Sequence, residues 1–271
     1  MYLRTGLKTG RLPRKHDPRV PHYSALITKA INLPPIPKQV DNGKGLDDWG
    51  MMLNDTLGDC TCAAVYHSLQ TWTLANGALD TEPDSHVLNL YESACGYIPG
   101  NALTDEGGVE QDVLKYWAST GIQRGNGIDK LTGFVEIDPR QLDDVQRGIW
   151  ECGVVYIGFG VPKGLIDDGN VPEVWELPKN PVIEGGHAVI LNGYQPAKVQ
   201  SGYGATIALD ARFTVISWGD RYEMTEPFFA GLTDEVYGLV SADWVDTTGK
   251  TPAGLGLEEI EEQMKYAVEV N

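Results

Sequence analysis

Apolar residues recur with helical spacing in three segments of the first part of the chain. The first segment, CTCAAVYHSLQTWTLA at residues 60–75, follows Asp59, whose carboxylate is predicted to cap the helix by accepting N–H groups of its first turn. The second segment, residues 109–120, is amphipathic and is followed by Gly121. The third begins at Asp138, which precedes a proline at the predicted first helical position. Its predicted buried stripe is Leu142, Val145 and Ile149.

Short apolar runs predict strands in the second part of the chain. They are residues 154–159, 187–194 (HAVILNGY), 213–218 (FTVISW) and 236–240. Helices therefore precede strands and do not alternate with them, which favours an α+β protein with two lobes over a doubly wound sheet. The sequence contains no P-loop, no dinucleotide-binding glycine pattern and no G-x-S-x-G motif.

Charge separates the N-terminal segment from the rest of the chain. The 271 residues carry a net charge of −17, yet residues 1–38 hold eight Lys or Arg and one Asp. Six prolines in the same segment predict extended backbone. We interpret residues 1–44 as a basic arm that lies on an acidic surface of this chain or a neighbour, although a solvated tail is the alternative. Four apolar side chains favour docking: Ile27, Ile31, Leu33 and Ile36.

The C-terminal residues 249–271 are interpreted as a linker followed, from residue 257, by an acidic helix. This helix packs on its own domain or docks to another copy or an assembly partner. No apolar run reaches the length of a membrane span and the N-terminus lacks the apolar core of a secretory signal. A cytoplasmic or virion-associated protein is therefore expected, and the acidic body weighs against nucleic-acid or membrane binding.

Neither a metal site nor another cofactor is expected. The four cysteines contain no C-x-x-C pair, and the five histidines form no H-x-H or H-x-x-x-H pair. The absence of a secretory signal also argues against a disulfide scaffold. Cys62, Cys95 and Cys152 are interpreted as core thiols, and His67 as a core or lobe-interface histidine.

The candidate chemistry lies in two segments far apart in the sequence. A loop delivers Cys60 to the first turn of a predicted helix, where the helix dipole and unpaired N–H groups favour a thiolate. Asp59 opposes this, because a carboxylate disfavours a second negative charge. His187 begins an apolar strand after two glycines. A thiol nucleophile needs a base that takes its proton and returns it to the leaving group, and Cys60 and His187 fit these roles.

These segments and several others, taken in order, resemble the papain-like cysteine peptidases. Asn54 lies where that family has its oxyanion-hole glutamine, and Cys60 follows a glycine and a second residue as the family's nucleophile does. The other resembling segments are Asp47-Asp48-Trp49, Asp105-Glu-Gly-Gly-Val with its following helix, Asp138-Pro to Ile157, the His187 strand, and Ile216-Ser-Trp-Gly. The resemblance implies a papain-like domain over residues 45–248. A helical lobe would span about 45–135, and a lobe built on an antiparallel sheet or barrel about 136–248. It also implies Cys60 as nucleophile, His187 as base, Asn54 as oxyanion donor and Trp218 as a wall of the site.

Three departures from the family pattern bear on activity. Ile216 replaces the asparagine that orients the imidazole, Thr61 replaces a tryptophan, and Leu57 replaces a cysteine that is usually disulfide-bonded. Loss of the orienting group costs about 10⁴ in turnover in a serine triad, although a thiol depends less on full triad geometry. The candidates to replace it are Ser217, Asp220 and Asp210, but strand alternation directs Ser217 away from the face that Ile216 occupies.

Two functions remain open from the sequence. The first is a thiol hydrolase that cleaves peptide or amide bonds, in protein or cell-wall peptide, through a Cys60 acyl-enzyme. The second is a catalytically silent papain-fold subunit of a larger assembly such as a phage virion or tail, with the arm and tail as docking elements. The discriminating feature is whether Asn54, Cys60 and His187 converge in an open cleft. A cleft filled by the arm or a neighbour favours the structural role, and an arm folded through its own cleft indicates an autoinhibited zymogen.

Overall fold

The structure is a computed structural model that describes residues 6–24, 34–202, 205–245, 249–251, 254 and 256. The predicted C-terminal helix from residue 257, and Ile27, Ile31 and Leu33 of the arm, lie outside these residues. The helices are α1 (Cys60–Ala75), α2 (Asp84–Cys95), α3 (Glu110–Ser119), α4 (Leu142–Cys152) and α5 (Glu226–Leu232). The strands are β1 (Val40–Asp41), β2 (Ile122–Arg124), β3 (Gly127–Asp129), β4 (Gly133–Glu136), β5 (Val155–Pro162), β6 (Val174–Trp175), β7 (Ile183–Gln195), β8 (Lys198–Gly202), β9 (Ala205–Leu209), β10 (Arg212–Ser217), β11 (Asp220–Thr225) and β12 (Thr233–Val240).

One large sheet organises the second half of the chain. Its strand order is β4-β12-β5-β7-β10-β11-β6, and β1 pairs with the end of β7. All of its pairs are antiparallel except β6 with β11. This confirms the predicted α+β class. The alternative of a barrel is wrong for the described strands, because β4 and β6 remain the two edges of an open sheet.

The sheet is buried on both faces, which explains why its central strands are almost continuously apolar. Tyr156, Ala188 and Ile190 pack on the side that carries α1, while Ile157 and Val189 pack on the opposite side around Trp175 and Phe228. Helix α1 is itself buried at all but its last two residues. It therefore lies between the sheet and the other helices, and its first residue is pressed against β7.

The predicted helix starts were right for two helices and wrong for the third. Helices α1 and α3 lie within one residue of residues 60–75 and 109–120. The third helix, α4, begins at Leu142 and not after Asp138. The cause is local, because the Asp138 carboxylate accepts a hydrogen bond from the backbone N–H of Arg140 at 3.0 Å and holds a turn there.

The structure also contains elements that the apolar pattern did not reveal. Helices α2 and α5 and strands β4 and β11 are the main ones. The four predicted strands are present and three are longer than predicted, with β7 extending over 13 residues. Within the described part of the chain, no helix has the length and apolar character needed to cross a membrane.

Candidate active site

Cys60 is the first residue of α1 and its sulfur lies against the backbone of β7. The Sγ atom accepts hydrogen bonds from the N–H groups of Ala188 and Gly10. Burial nevertheless raises the pKa of the Cys60 thiol to about 12. The expectation that the helix start favours a thiolate is therefore wrong for this closed arrangement, because desolvation of the charged form outweighs the hydrogen bonds.

His187 lies on β7, directly before the residue whose N–H contacts the Cys60 sulfur. Its ring stacks on Trp218 with 4.1 Å between centroids and an angle of 11°. Nε2 lies 2.7 Å from the hydroxyl of Ser217, whereas the buried Nδ1 has no hydrogen-bond partner among the described residues. Burial lowers the pKa of His187 to about 3, so the imidazole is neutral at physiological pH. The ring is fixed in place with one nitrogen available.

Ser217 is the residue whose hydroxyl contacts the imidazole, although strand alternation was expected to direct it away from the site. Ile216 pairs with Ile190, and both pack on the α1 side of the sheet. His187 is an odd number of residues from Ile190 along β7 and therefore points to the other side. Ser217 follows Ile216 and also points there. Ser217 does point away from the face of Ile216, and it meets His187 because His187 lies on that same opposite face.

Asn54 and Asp59 hold the loop that leads into Cys60. The Asn54 side-chain amide donates to Leu57 O and to Asp59 Oδ1, each at 3.2 Å. The predicted oxyanion role of Asn54 stays a prediction, and in this structure both amide hydrogens are already bonded. Asp59 makes no side-chain cap to α1, so that prediction is wrong. Burial raises the pKa of the Asp59 carboxyl group well above its usual range.

Residues 8–12 of the arm pass between the two lobes, directly over Cys60. Backbone and indole groups of both lobes bind this segment. The hydrogen bonds run from Lys8 N to Asn54 O (2.9 Å), from Trp218 Nε1 to Lys8 O (3.0 Å), from Arg11 N to Gly186 O (3.0 Å), from Leu12 N to Gly108 O (2.8 Å) and from Gly108 N to Gly10 O (2.8 Å). The cleft is therefore filled by the chain's own N-terminal segment.

Glycines on three facing segments allow this close passage. A Cβ atom on Gly10 would lie 1.8 Å from Gly58 O, and one on Gly107 would lie 1.8 Å from Gly10 O. A Cβ on Gly186 would lie 2.5 Å from Arg11 O. No larger residue fits these positions while the arm is in place. The glycine pairs were visible in the sequence, but their partner segment was not.

The Arg11 side chain enters an acidic pocket beside the thiol. Its guanidinium forms ion pairs with Glu110, Glu235 and Asp234, of which the first two are fully buried. The hydroxyl of Tyr237 donates to Glu235 Oε2 at 2.8 Å. Burial lowers the pKa of Arg11, but the three carboxylates more than reverse this and leave it raised. The charge asymmetry of the sequence predicts ion pairs between the basic arm and an acidic surface, but it does not predict which residues form them.

The remaining cysteines and histidines lie outside this centre. His67 is buried and hydrogen-bonds to Gln70, and burial lowers its pKa to about 4. Cys62 and Cys95 are free thiols with 3.9 Å between their sulfurs. Over the described residues there is no cluster of three or more His, Cys, Asp or Glu able to hold a metal ion.

Comparison with known proteins shows the fold. No family model matches the chain, and no curated protein matches it in sequence. Among solved structures, the chain is similar to xylellain, a cysteine protease from Xylella fastidiosa, with 17% identity, a TM-score of 0.61, and 89% of this chain and 98% of that chain covered. It is also similar to digestive procathepsin L 3 of Tenebrio molitor, with 13% identity, a TM-score of 0.51, and 88% and 78% covered. Bromelain from Ananas comosus, in complex with the E64 inhibitor, matches with 14% identity, a TM-score of 0.51, and 76% and 99% covered. The chain has a divergent papain-like fold.

Proposed function

We propose that this chain is a thiol hydrolase that cleaves peptide or amide bonds, with Cys60 as nucleophile and His187 as base. One arrangement carries the proposal. The Cys60 sulfur lies against the N–H of Ala188 at the start of α1, and the residue before Ala188 is His187, whose Nε2 contacts Ser217 and whose Nδ1 is unpartnered among the described residues. A thiol and an oriented neutral imidazole are the two groups that nucleophilic acyl transfer requires, and the proposed reaction brings them together when the arm leaves the cleft.

The nitrogen of His187 that has no hydrogen-bond partner among the described residues determines how the proton is transferred. When Nε2–H donates to Ser217 Oγ, Nδ1 carries the lone pair and accepts the Cys60 proton as the sulfur bonds to the substrate carbonyl carbon. The tetrahedral intermediate collapses, the C–N bond breaks, and the amine leaves with that proton. Water then attacks the thioester, the C–S bond breaks, and the thiol regains a proton through His187. The Cys60 backbone N–H, at the first helical position, is a donor for the oxyanion, with Asn54 as a further candidate.

The N-terminal arm keeps this centre in an inactive state. The N–H of Gly10 lies against the Cys60 sulfur, so the arm covers the nucleophile. The arm also excludes water from the site. This exclusion accounts for the raised pKa of the Cys60 thiol and for the lowered pKa of His187. Displacement of the arm rehydrates both groups and moves the two pKa values back toward each other.

Alkylation of Cys60 by iodoacetamide, followed by peptide mass spectrometry, tests both the pairing and the closure. Gly10→Ala places a Cβ against Gly58 O and is expected to displace the arm and accelerate labelling at least about tenfold. Gly127→Ala is the matched control, because its Cβ meets only Arg124 O at 3.7 Å. In the Gly10→Ala chain, labelling well below the ordinary thiol pKa of about 8.5 is expected, and His187→Ala should abolish it.

Turnover is measured with the same variants. The Gly10→Ala chain is incubated with a mixture of peptides and the products are identified by mass spectrometry, with Cys60→Ser in the same background as the blank. Cleavage that depends on Cys60 supports the proposal. Labelling that follows an ordinary thiol and does not respond to His187→Ala, together with no cleavage, rejects it.

The alternative is a catalytically silent structural subunit. The observation that favours it is the state of Asn54, whose two amide hydrogens are bonded within the loop, in a cleft that the arm fills. In that case the arm is a permanent part of the fold. Gly10→Ala would then destabilise the protein without increasing the reactivity of Cys60.

A further inference from the structure

We infer that the pocket occupied by Arg11 is a substrate pocket that selects an arginine side chain. The preferred substrates are then peptides whose arginine occupies this pocket, close to Cys60. The inference names the substrate class of the proposed hydrolase and rests on that function for the cleavage step. The binding part stands on the pocket itself.

The arm shows how a peptide fits the cleft at this point. The Arg11 N–H donates to Gly186 O, and the neighbouring residues Gly10 and Leu12 bond to Gly108 on the other side. These contacts use backbone groups only, so a peptide with glycine at the position of Gly10 can make them whatever its other side chains are. Gly10 covers the Cys60 sulfur. The side chain of the next residue, Arg11, therefore enters the acidic pocket.

The pocket is shaped for a guanidinium group. Glu110 Oε1 lies 2.9 Å from Arg11 Nε, and Glu235 Oε1 accepts from Nε at 2.9 Å and also from Nη2. Gly158 forms the floor, where a Cβ would lie 2.1 Å from Arg11 Nε. A planar fork of N–H donors satisfies several carboxylate oxygens at once, which the point charge of a lysine does not.

The pocket needs a cation for its own stability. Glu110 and Glu235 are both buried, and burial raises the pKa of each. Without Arg11 the two carboxylates would face each other with only Tyr237 and the partly exposed Asp234 nearby. Two buried carboxylates without a cation are unfavourable, so a pocket vacated by the arm attracts another arginine.

The walls of the pocket do not belong to the arm. Glu110 is the first residue of α3, Glu235 and Tyr237 lie on β12, and Gly158 lies on β5. Strands β5 and β12 pair with each other in the sheet and α3 packs in the core, so each of these elements has contacts of its own apart from residues 8–12. The same carboxylates therefore remain available when the arm leaves the cleft.

Peptide binding tests this independently of catalysis. The protein is the full-length chain with Gly10→Ala, and the probe is a fluorescent peptide with the sequence of residues 6–15, GLKTGRLPRK. Citrulline, the neutral isostere of arginine, replaces Arg11 in a second peptide and Arg14 in a third. Arg14 is the matched control because it pairs with Glu136 outside the pocket and is itself partly exposed.

The Arg11→citrulline peptide is expected to bind at least about tenfold more weakly than the parent, because it leaves a buried charged partner unpaired. The Arg14→citrulline peptide should lose less affinity than the Arg11→citrulline peptide, because the Arg14 side chain is 31% exposed and its carboxylate partner, Glu136, lies outside the pocket. Glu235→Gln in the protein should remove most of the difference. If Gly10→Ala does not fold, Leu12→Pro takes its place, because it removes the N–H that bonds to Gly108 O.

Equal affinity of the parent and Arg11→citrulline peptides overturns the inference, as does the absence of measurable binding by any of the three. Cleavage assays then separate the pocket from the proposed reaction. Arginine-selective binding without Cys60-dependent cleavage keeps the pocket and rejects the hydrolase. Cleavage that does not distinguish arginine, citrulline and leucine in kcat/KM keeps the hydrolase and rejects the pocket.

Discussion

At the scale of single residues, the imidazole is held by a hydroxyl group and not by an amide. Ser217 is buried, and its Oγ is the contact that the structure gives to His187 Nε2. A hydroxyl can donate or accept, so it serves the neutral and the protonated ring equally well. The ring is additionally fixed by stacking on Trp218.

Ser217→Ala is predicted to leave Nε2 buried without this partner. The expected result is an alkylation rate of Cys60, in the Gly10→Ala chain, that falls at least about tenfold at neutral pH, since an unpaired buried polar atom costs about 1–3 kcal/mol. Ser68→Ala is the control, because this buried hydroxyl bonds only to Ala64 O within α1. Equal rates in the two variants would contradict the orienting role.

A second residue-scale prediction concerns pH. The unfolded chain has histidines with a pKa of about 6.5, whereas burial lowers the pKa of His67 to about 4 in the folded state. Below about pH 6.5, His67 binds a proton in the unfolded state but remains neutral in the folded state. The free energy of unfolding therefore falls as the pH drops toward 4. Wild type should lose up to about 1.4 kcal/mol per pH unit more than His67→Gln in urea unfolding, and parallel pH profiles would contradict this.

The residue scale also shows what sequence alone can provide. The sequence offers Cys60 and His187 as candidates because their neighbours in the chain, a helix start and a glycine pair, are local features. Ser217 required the register of β10 on β7, which fixes the face of each side chain. The state of Asn54 required the conformation of the loop, in which Asp59 turned out to be its acceptor and not a helix cap.

At the scale of elements, the cleft is lined by glycine segments that face one another across the arm. Gly107 and Gly108 precede α3, Gly185 and Gly186 lie on β7, and Gly58 precedes Cys60. Asp105 links two of these segments, because its Oδ1 accepts from Gly58 N at 2.9 Å. In the sequence these glycines indicate turns or strand ends. Their close approach to the arm depends on a segment that is distant in the chain and could not be read from the local sequence.

Gly186→Ala is predicted to loosen the arm, because its Cβ would lie 2.5 Å from the backbone oxygen of Arg11. Limited digestion with trypsin, which cuts after arginine and lysine, should then cleave residues 8–15 several times faster. Gly160→Ala lies on the neighbouring strand β5 and meets only side-chain atoms of Ile183, the nearest at 3.1 Å. The digestion rate of this control should match wild type, and equal protection in both variants would show that the arm does not depend on this contact.

At the scale of the whole molecule, a basic segment lies on an acidic body. Arg11 is the buried contact, while Lys15 pairs with Asp112 at the surface. The charge pattern predicted an acidic surface as the site of the arm, and the two-lobed order of helices and strands followed from the apolar pattern. The path of the arm through the cleft and the open edges of the sheet depend on contacts between residues far apart in the sequence. Neither the charge pattern nor the apolar pattern contains this information.

Arg11→Met is predicted to destabilise the protein by about 3–5 kcal/mol, because it leaves Glu110 and Glu235 buried without their cation. Lys15→Met should change the unfolding free energy little, since its ion pair is exposed and screened. Urea unfolding of both variants in the same buffer provides the comparison. A small effect of Arg11→Met would mean that the two carboxyl groups are protonated and tolerate the loss.

Three consecutive residues of β7 hold the arm, the base and the nucleophile in one place. Gly186 accepts from Arg11, His187 is the proposed base, and the N–H of Ala188 contacts the Cys60 sulfur. The proposed inhibition and the proposed catalysis therefore depend on the same stretch of backbone. A mutation in this tripeptide that releases the arm is expected to disturb the proposed chemistry as well, whereas a change outside it, such as Gly10→Ala, leaves these three residues intact.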